Sequence, residues 1–371
     1  MLITDKKELE KFYSPYRLWQ GIPGIEVTKG GRIFSAFYSG GTKEEIGNFA
    51  LVVASDDGGK SFSEPIVAAY KKEGRCFDEV LWIDPLGRLW FTWGYASHTE
   101  KEKEGVYGVI CDDPDASELV FGDVFFIGKN VMMNKPTVLS SGEWLFPIAI
   151  WLDTVKWGGE SKSEEDAPAA YAYQTKDNGK TFERLGGADV PDRRFDEHMI
   201  LELADGRLMM LVRTNYGIGV SYSEDKGKTW SGGKDSELGG PCSRFFIRRL
   251  KSGRVLLINH YQFTGRSHLT AMLSEDDGKT WKYKLLLDER KNVSYPDGVE
   301  AEDGYIYITY DRERGGFKKT MEQALSSARE VLFARFTEED VIAGEIVSEK
   351  GALKQIISKL GEYKGEPLFE D

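Results

Sequence analysis

The stretch DRRFDEHMILELADGRLMMLVRTNYGIGVSYSEDKGKTW, residues 192–230, carries three signals in succession. An acidic cluster opens it. Two apolar runs then flank the turn Asp205-Gly206, which is hairpin chemistry because glycine accepts the left-handed backbone a tight turn needs. The octapeptide SEDKGKTW closes it. The reading of the fold turns on whether these signals occur once or repeat.

They repeat. The same run, turn and run recur as IPGIEVTKGGRIFSAF, DEVLWIDPLGRLWFTW, NKPTVLSSGEWLFPIAI, SRFFIRRLKSGRVLLIN and PDGVEAEDGYIYITY. The turn glycines Gly31, Gly87, Gly142, Gly206, Gly253 and Gly304 are 47 to 64 residues apart. That period belongs to small sheets repeated around an axis. Between the hairpins stand SDDGGKSF from Ser55, TKDNGKTF from Thr175, SEDKGKTW from Ser223 and SEDDGKTW from Ser274. One such octapeptide is common turn chemistry. Four in register with a second repeat define an architecture. A calcium loop is the rival reading, but the alternating carboxylates and terminal glutamate it needs are missing.

The totals agree with a repeat protein. A length of 371 residues would suggest two or three domains unless repeats account for it in one. A net charge of -12 argues against nucleic acid and anionic membranes as partners, since both reward clustered cations. Cys76, Cys111 and Cys242 are too few and too scattered for a disulfide framework and read as free thiols. His98, His198, His260 and His268 lack metal-ligand spacing, so neither metal nor cofactor is expected. The N-terminus has no apolar leader and no run long enough to span a bilayer occurs, which suggests a cytoplasmic protein. TMEQALSSA from Thr320 and ALKQIISKL from Ala352 place apolar residues at helical spacing, whereas EVLFARF from Glu330 reads as a late strand. The expected organisation is all-β: a propeller over residues 1–345, with a helical extension over 346–371 packed on its outside.

The octapeptides resemble the Asp-box repeats of the sialidase (neuraminidase) superfamily, and the resemblance implies a six-bladed β-propeller of four-stranded antiparallel blades. Blade two keeps only the degenerate CDDPDAS and blade six has no box. In a propeller the first strand of each blade lines the channel, so residues opening the hairpins form a ring at one mouth. These are Gln20 with Gly21, Asp78 with Glu79, Asn134 with Lys135, Asp196 with Glu197 and His198, Ser243 with Arg244, and Tyr295 with Asp297. A water-filled structural channel would be equally polar.

The resemblance also implies roles. Glu197 opens the fourth hairpin and Arg213 closes it, Arg266 precedes the next box, and Tyr295 opens the last blade, in the family's order of glutamate, arginine, arginine and nucleophilic tyrosine. A sialoside bears a carboxylate on its anomeric carbon, which would repel a carboxylate nucleophile. Tyrosine attacks as a neutral group, but its ordinary pKa of about 10 demands a base, and Glu197 is the candidate. Arginine suits the substrate carboxylate because its planar fork donates two parallel bonds.

Two positions depart from the family. Its first arginine belongs to an R-I-P motif, where this chain has Gly21, and Arg17, Lys135 and Arg244 are the candidates to replace the charge. Its acid/base aspartate lies on the blade-one loop, where this chain offers Glu44 and Glu45. The reading is thus a retaining, sialidase-like exo-glycoside hydrolase acting on an acidic or terminal sugar. Arg213, Arg266, Arg244, Asp78, Glu79, Asp196, His198, Lys135, Asp297 and Gln20 are the expected substrate-binding ring. Two alternatives stay open: another glycosidase or a polysaccharide lyase using Asp78, Glu79 or His198, and a carbohydrate-binding propeller without catalysis. The sequence assigns no sugar, linkage or oligomeric state.

Overall fold

A computed structural model describes residues 2–41, 44–151, 167, 169–315 and 320–365. They form a six-bladed β-propeller in which each blade is an antiparallel sheet drawn from consecutive chain. The inner strands are Trp19–Val27, Gly74–Ile83, the interrupted pair Val131–Met132 and Thr137–Val138, Met199–Glu202, Phe246–Arg249 and Val293–Glu300. Blade one gains a fifth strand, Leu2–Ile3, paired with Val67–Ala69 on its outer edge.

All six turn glycines take left-handed φ, between 81° and 99°, at the end of the inner strand. The boxes begin where the third strand of their blade ends, as at Ser223 and Ser274. In the last of them Asp276 accepts from Ser274 Oγ at 2.8 Å, Thr280 N at 2.8 Å and Thr280 Oγ1 at 2.7 Å, while Gly278 N donates to Ser274 Oγ at 2.9 Å. The carboxylate thus satisfies donors that a tight turn would otherwise leave open. The closing aromatic packs under the loop: Trp230 Nε1 donates to Gly227 O at 3.2 Å. In blade one Phe62 reaches across to Phe333 of blade six, 6.1 Å between ring centres. Neighbouring blades meet through similar apolar contacts, as where Trp82 of blade two meets Trp144 of blade three edge-on at 4.9 Å. Burying such a side chain stabilises by roughly 1.5–3 kcal/mol.

Met321–Leu325 is helical, capped by Thr320, and Glu330–Phe336 is the third strand of blade six. The segment expected as a C-terminal helix differs. Ala352–Lys359 is the outermost strand of blade six, antiparallel to Glu330–Phe336, and residues 366–371 lie outside the described residues. Two register shifts insert extra residues into this strand, so Ile357 and Leu360 are buried at a spacing that imitates a helix while Ile356 is exposed. A short helix does lie outside the ring, but at Glu338–Ala343, where the other blades carry a box. Its buried Asp340 accepts from Thr337 N, Val347 N and Ser348 N, which is the box carboxylate's work done by a helix cap.

Hydrogen bonds donated by the Thr229 hydroxyl and backbone N–H hold the Asp225 carboxyl down at about 2. A depressed carboxylate contributes stability above its unfolded pKa, near 3.9, that is lost as pH falls through the folded value. Asp225→Ala is therefore expected to lower the thermal midpoint at pH 7, with the gap to the natural chain closing between about pH 4 and pH 2 in scanning calorimetry. A gap independent of pH would rule out the carboxylate as the origin of the loss.

Candidate active site

Three inner strands carry a bulge near their start. Ile22 and Pro23 oppose one residue between the pairs Gly21↔Tyr38 and Gly24↔Ala36. Asp78 and Glu79 do so between Phe77↔Gly94 and Val80↔Thr92, and Tyr295 and Pro296 between Ser294↔Asp311 and Asp297↔Thr309. Blade four reaches the same geometry through the bond of 2.7 Å from Arg213 N to Asp196 O, followed by the pair Met199↔Leu211. Ile22, Asp78, Glu197 and Tyr295 thus occupy one structural position, each with left-handed φ of 59°, 49°, 42° and 57°. Side chains other than glycine hold that conformation only where surroundings impose it, and such strain gathers at functional sites.

Tyr295 Oη donates to Glu197 Oε1 at 3.1 Å and accepts from Arg213 Nη1 at 2.9 Å, and Arg213 also pairs with Glu197. The guanidinium carbons of Arg266 and Arg314 lie 5.1 and 4.6 Å from the centre of the Tyr295 ring. Burial, then the Glu197 charge, raises the Tyr295 pKa against the pull of Arg213, Arg266 and Arg314, so the hydroxyl rests neutral. Phe195 lines the far side of Arg213, with 5.2 Å from guanidinium to ring centre, and Trp151 packs edge-on against it.

Arg314 is the residue that sequence reasoning missed, and it answers the gap at Gly21. A Cβ at Gly21 would fall 2.2 Å from Arg314 Cδ and 2.4 Å from its Cγ, so this side chain lies across the glycine. Arg314 also meets Asp311 Oδ2 at 3.4 Å and Glu44 Oε1 at 3.4 Å. None of the three cations named beforehand takes the place. Arg17 bonds to Ser358, while Lys135 pairs with Glu26 and with Asp297 at 3.4 Å. Arg244 donates to Pro296 O at 3.1 Å and Pro23 O at 3.2 Å. The pairing of a glycine early in blade one with an arginine after the last inner hairpin, in YDRERGG, is the signal that could have found it.

The remaining ring residues separate by depth and partner. Lys135, Arg244, Asp297 and Glu79 are all buried, each nearly free of solvent, and the first three are tied to one another or to backbone carbonyls in the channel. Gln20 is spent on Arg329 O and Ser358, joining blades one and six. His198 Nε2 donates to Tyr171 O at 2.7 Å, and burial depresses its pKa to about 4, which fits a neutral packed imidazole. Asp196 pairs with Arg193 at 3.3 Å and burial raises it to about 7. Glu44 accepts from Arg75 Nη2 at 3.0 Å as well as from Arg314. Glu45 lines a pocket of about 170 Å³ with Arg75, Phe77, Val131 and Trp151. Among the described residues no cluster of three His, Cys, Asp or Glu side chains is placed to hold a metal, and no helix is long and apolar enough to cross a membrane.

The chain belongs to the BNR repeat-like domain family, whose model matches residues 31–308. No curated protein matches it in sequence. Among solved structures it is similar to the Hadza microbial sialidase Hz136, with a TM-score of 0.63 and 18% identity over 80% of this chain and 64% of that one. It is similar to the NanB sialidase of Streptococcus pneumoniae, with a TM-score of 0.65 and 14% identity over 89% and 70% of the two chains. The intramolecular trans-sialidase of Ruminococcus gnavus gives 0.60 and 14% over 89% and 96%. At these identities the likeness is one of fold. This chain spans less than two thirds of the length of the Hadza enzyme.

Gly21→Ala is expected to force Arg314 off its place and to cost about 1–3 kcal/mol in denaturant unfolding, the range for an overpacked site. Combining it with Arg314→Ala should remove most of that cost, because the two positions share one space. An undiminished cost in the double variant would mean that Arg314 does not fill the site.

Proposed function

We propose that this protein is an exo-acting, sialidase-like glycoside hydrolase that cleaves a sugar bearing a carboxylate and retains configuration through a tyrosyl intermediate. The observation that carries the reading is the short contact of Tyr295 Oη with Glu197 Oε1, 3.1 Å, inside a group of three arginines. The fold it shares with sialidases supports the class.

The chemistry follows from charge. Arg213, Arg266 and Arg314 offer an anionic sugar several paired donors, and a guanidinium binds a planar carboxylate through two parallel bonds. A nucleophile approaching a carbon that carries a carboxylate meets less repulsion when it arrives uncharged. Tyr295 is suited to this because its burial keeps the proton on until attack. In the first step the Tyr295 oxygen bonds to the anomeric carbon, its proton passes to Glu197, and the glycosidic C–O bond breaks as the leaving oxygen takes a proton from an acid beside it. In the second, water attacks the same carbon and gives a proton back to that acid, the tyrosyl bond breaks, and Glu197 returns the proton to Tyr295. Two displacements at one carbon restore the original configuration. Strain at the left-handed Tyr295 and Glu197 fixes both groups before substrate arrives, and such positioning is worth several kcal/mol of barrier.

A panel of aryl glycosides that includes a sialoside and uronides tests the reading. Release from an anionic sugar is expected, and Tyr295→Phe, which removes one oxygen, should lower turnover at least a hundredfold while the melting curve holds. Arg314→Ala should raise KM about tenfold or more for the same substrate, the worth of one charged hydrogen bond. A fully active Phe variant would end the tyrosyl mechanism. Cleavage of neutral glycosides alone would move the enzyme to another glycosidase class, and silence across the panel would favour a binding propeller.

A further inference from the structure

We propose that Asp78 is the proton donor to the leaving group, and the base for the incoming water, in the reaction proposed for Tyr295 and Glu197. The assignment rests on that reading and adds the one component it lacks, since neither Tyr295 nor Glu197 is free to protonate the departing oxygen.

Position is the first argument. Asp78 stands at the same bulge, with the same left-handed backbone, as Glu197 and Tyr295. Its blade and that of Tyr295 flank blade one, whose residue at this level is the apolar Ile22. A sugar ring lying over Ile22 would have the nucleophile on one side and Asp78 on the other. Three of the four residues held at this position by strain are then the three that a tyrosyl mechanism requires.

Surroundings are the second. Asp78 is 3% exposed, and among the described residues no hydrogen-bond donor reaches its carboxyl group. Arg75 on its own strand, Glu44 from blade one, Glu197 from blade four and Arg244 from blade five are the charges that face it. The alternatives from the sequence are otherwise engaged or otherwise placed: Glu44 is held by Arg75 and Arg314, and Glu45 lines the pocket beyond Arg75. Burial, in addition to Glu44 and Glu197 and against Arg75 and Arg244, raises the Asp78 carboxyl to about 8. The shift is in the direction that favours the protonated form, as a general acid requires.

The protons balance. As the glycosidic bond breaks, the Asp78 proton goes to the leaving oxygen, which departs as an alcohol, and the Tyr295 proton goes to Glu197. As water attacks, its proton goes to the Asp78 carboxylate and the proton on Glu197 returns to Tyr295. The enzyme ends as it began.

The experiment compares the full chain with Asp78→Asn, an isosteric change, on paired substrates: the 4-nitrophenyl and methyl glycosides of N-acetylneuraminic acid and of a uronic acid. A nitrophenolate leaves without help, whereas methanol does not. Bond cleavage in the variant should fall at least about a hundredfold more for the methyl than for the nitrophenyl glycoside in single-turnover measurements, the range of general-acid catalysis. The basic limb of the natural chain's pH profile, near the Asp78 value of about 8, should disappear. Equal losses on both members of a pair, or none, overturn Asp78 alone and leave Tyr295 and Glu197 standing. A natural chain silent on every pair overturns the hydrolase reading and this assignment with it. A readout without turnover guards against a misfolded variant: infrared difference spectra of the natural chain at pH 6 should contain a protonated carboxyl band that Asp78→Asn lacks. Absence of that band overturns the assignment.

Discussion

The Asp311 carboxylate ties the ring and the site together. It is fully buried near the end of the second strand of blade six, and it accepts from Ile22 N at 2.9 Å across the seam where the last blade meets the first. It also accepts from Ser294 Oγ at 2.7 Å, next to Tyr295, and meets Arg314 Nε at 3.4 Å. One anion therefore closes the propeller, anchors the bulge that presents Tyr295, and aims the arginine that covers Gly21. A buried charge persists only when it is paired and hydrogen-bonded, and its partners here come from both blades. Closure of the ring and the backbone beside Tyr295 both depend on one desolvated group.

Depth sorts the polar residues of the channel. At the mouth, Tyr295, Glu197, Arg213 and Arg314 contact one another. Further in, Lys135 joins Glu26 and Asp297 with side chains 1–3% exposed, and Asp297 Oδ2 accepts from Ile25 N at 3.0 Å. These inner pairs hold first strands from blades one, three and six against one another. Lys135 Nζ is taken up by Ile25 O, Glu26 and Asp297, so its donors are spent between blades.

Repeats made the fold legible. Six turn glycines and four boxes state where chain reversals fall, and every one of the glycines takes the left-handed backbone that its turn requires. Glu197, Arg213, Arg266 and Tyr295 were legible as a group because each sits at a fixed offset from a repeat landmark. Arg314 was not, since it lies past the last hairpin, and Asp311 was not, although it stands as far from Gly304 as Arg213 does from Gly206, since the meaning of both depends on contacts with blade one some 290 residues away. The last strand failed for a local reason: its two bulges turn a period of two into something close to the helical period. Glu79 could not be sorted from Asp78 in sequence, because adjacent residues at a bulge diverge only once the backbone is known.

Topology sets the candidate site and the repeated turns at opposite ends of the molecule. Each inner strand starts at the mouth and runs to its turn glycine, the second strand returns, and the third descends again to the box. The glycine turns and the boxes therefore share the far end, where the left-handed positions are the turn glycines and, in three boxes, Asn178, Lys226 and Asp277. Box carboxylates find their donors within four residues, as Asp276 does at Ser274 and Thr280. The mouth holds the left-handed Asp78, Glu197 and Tyr295 and the raised carboxyls of Asp78 and Asp196. Each left-handed residue costs about 1–3 kcal/mol, and a carboxyl without donors adds to that. Six well-formed turns and the apolar clusters within and between blades offset these terms, so the sheets can present groups in conformations they would not choose alone. Tyr295, Glu197 and Asp78 are thereby held at one level of the ring.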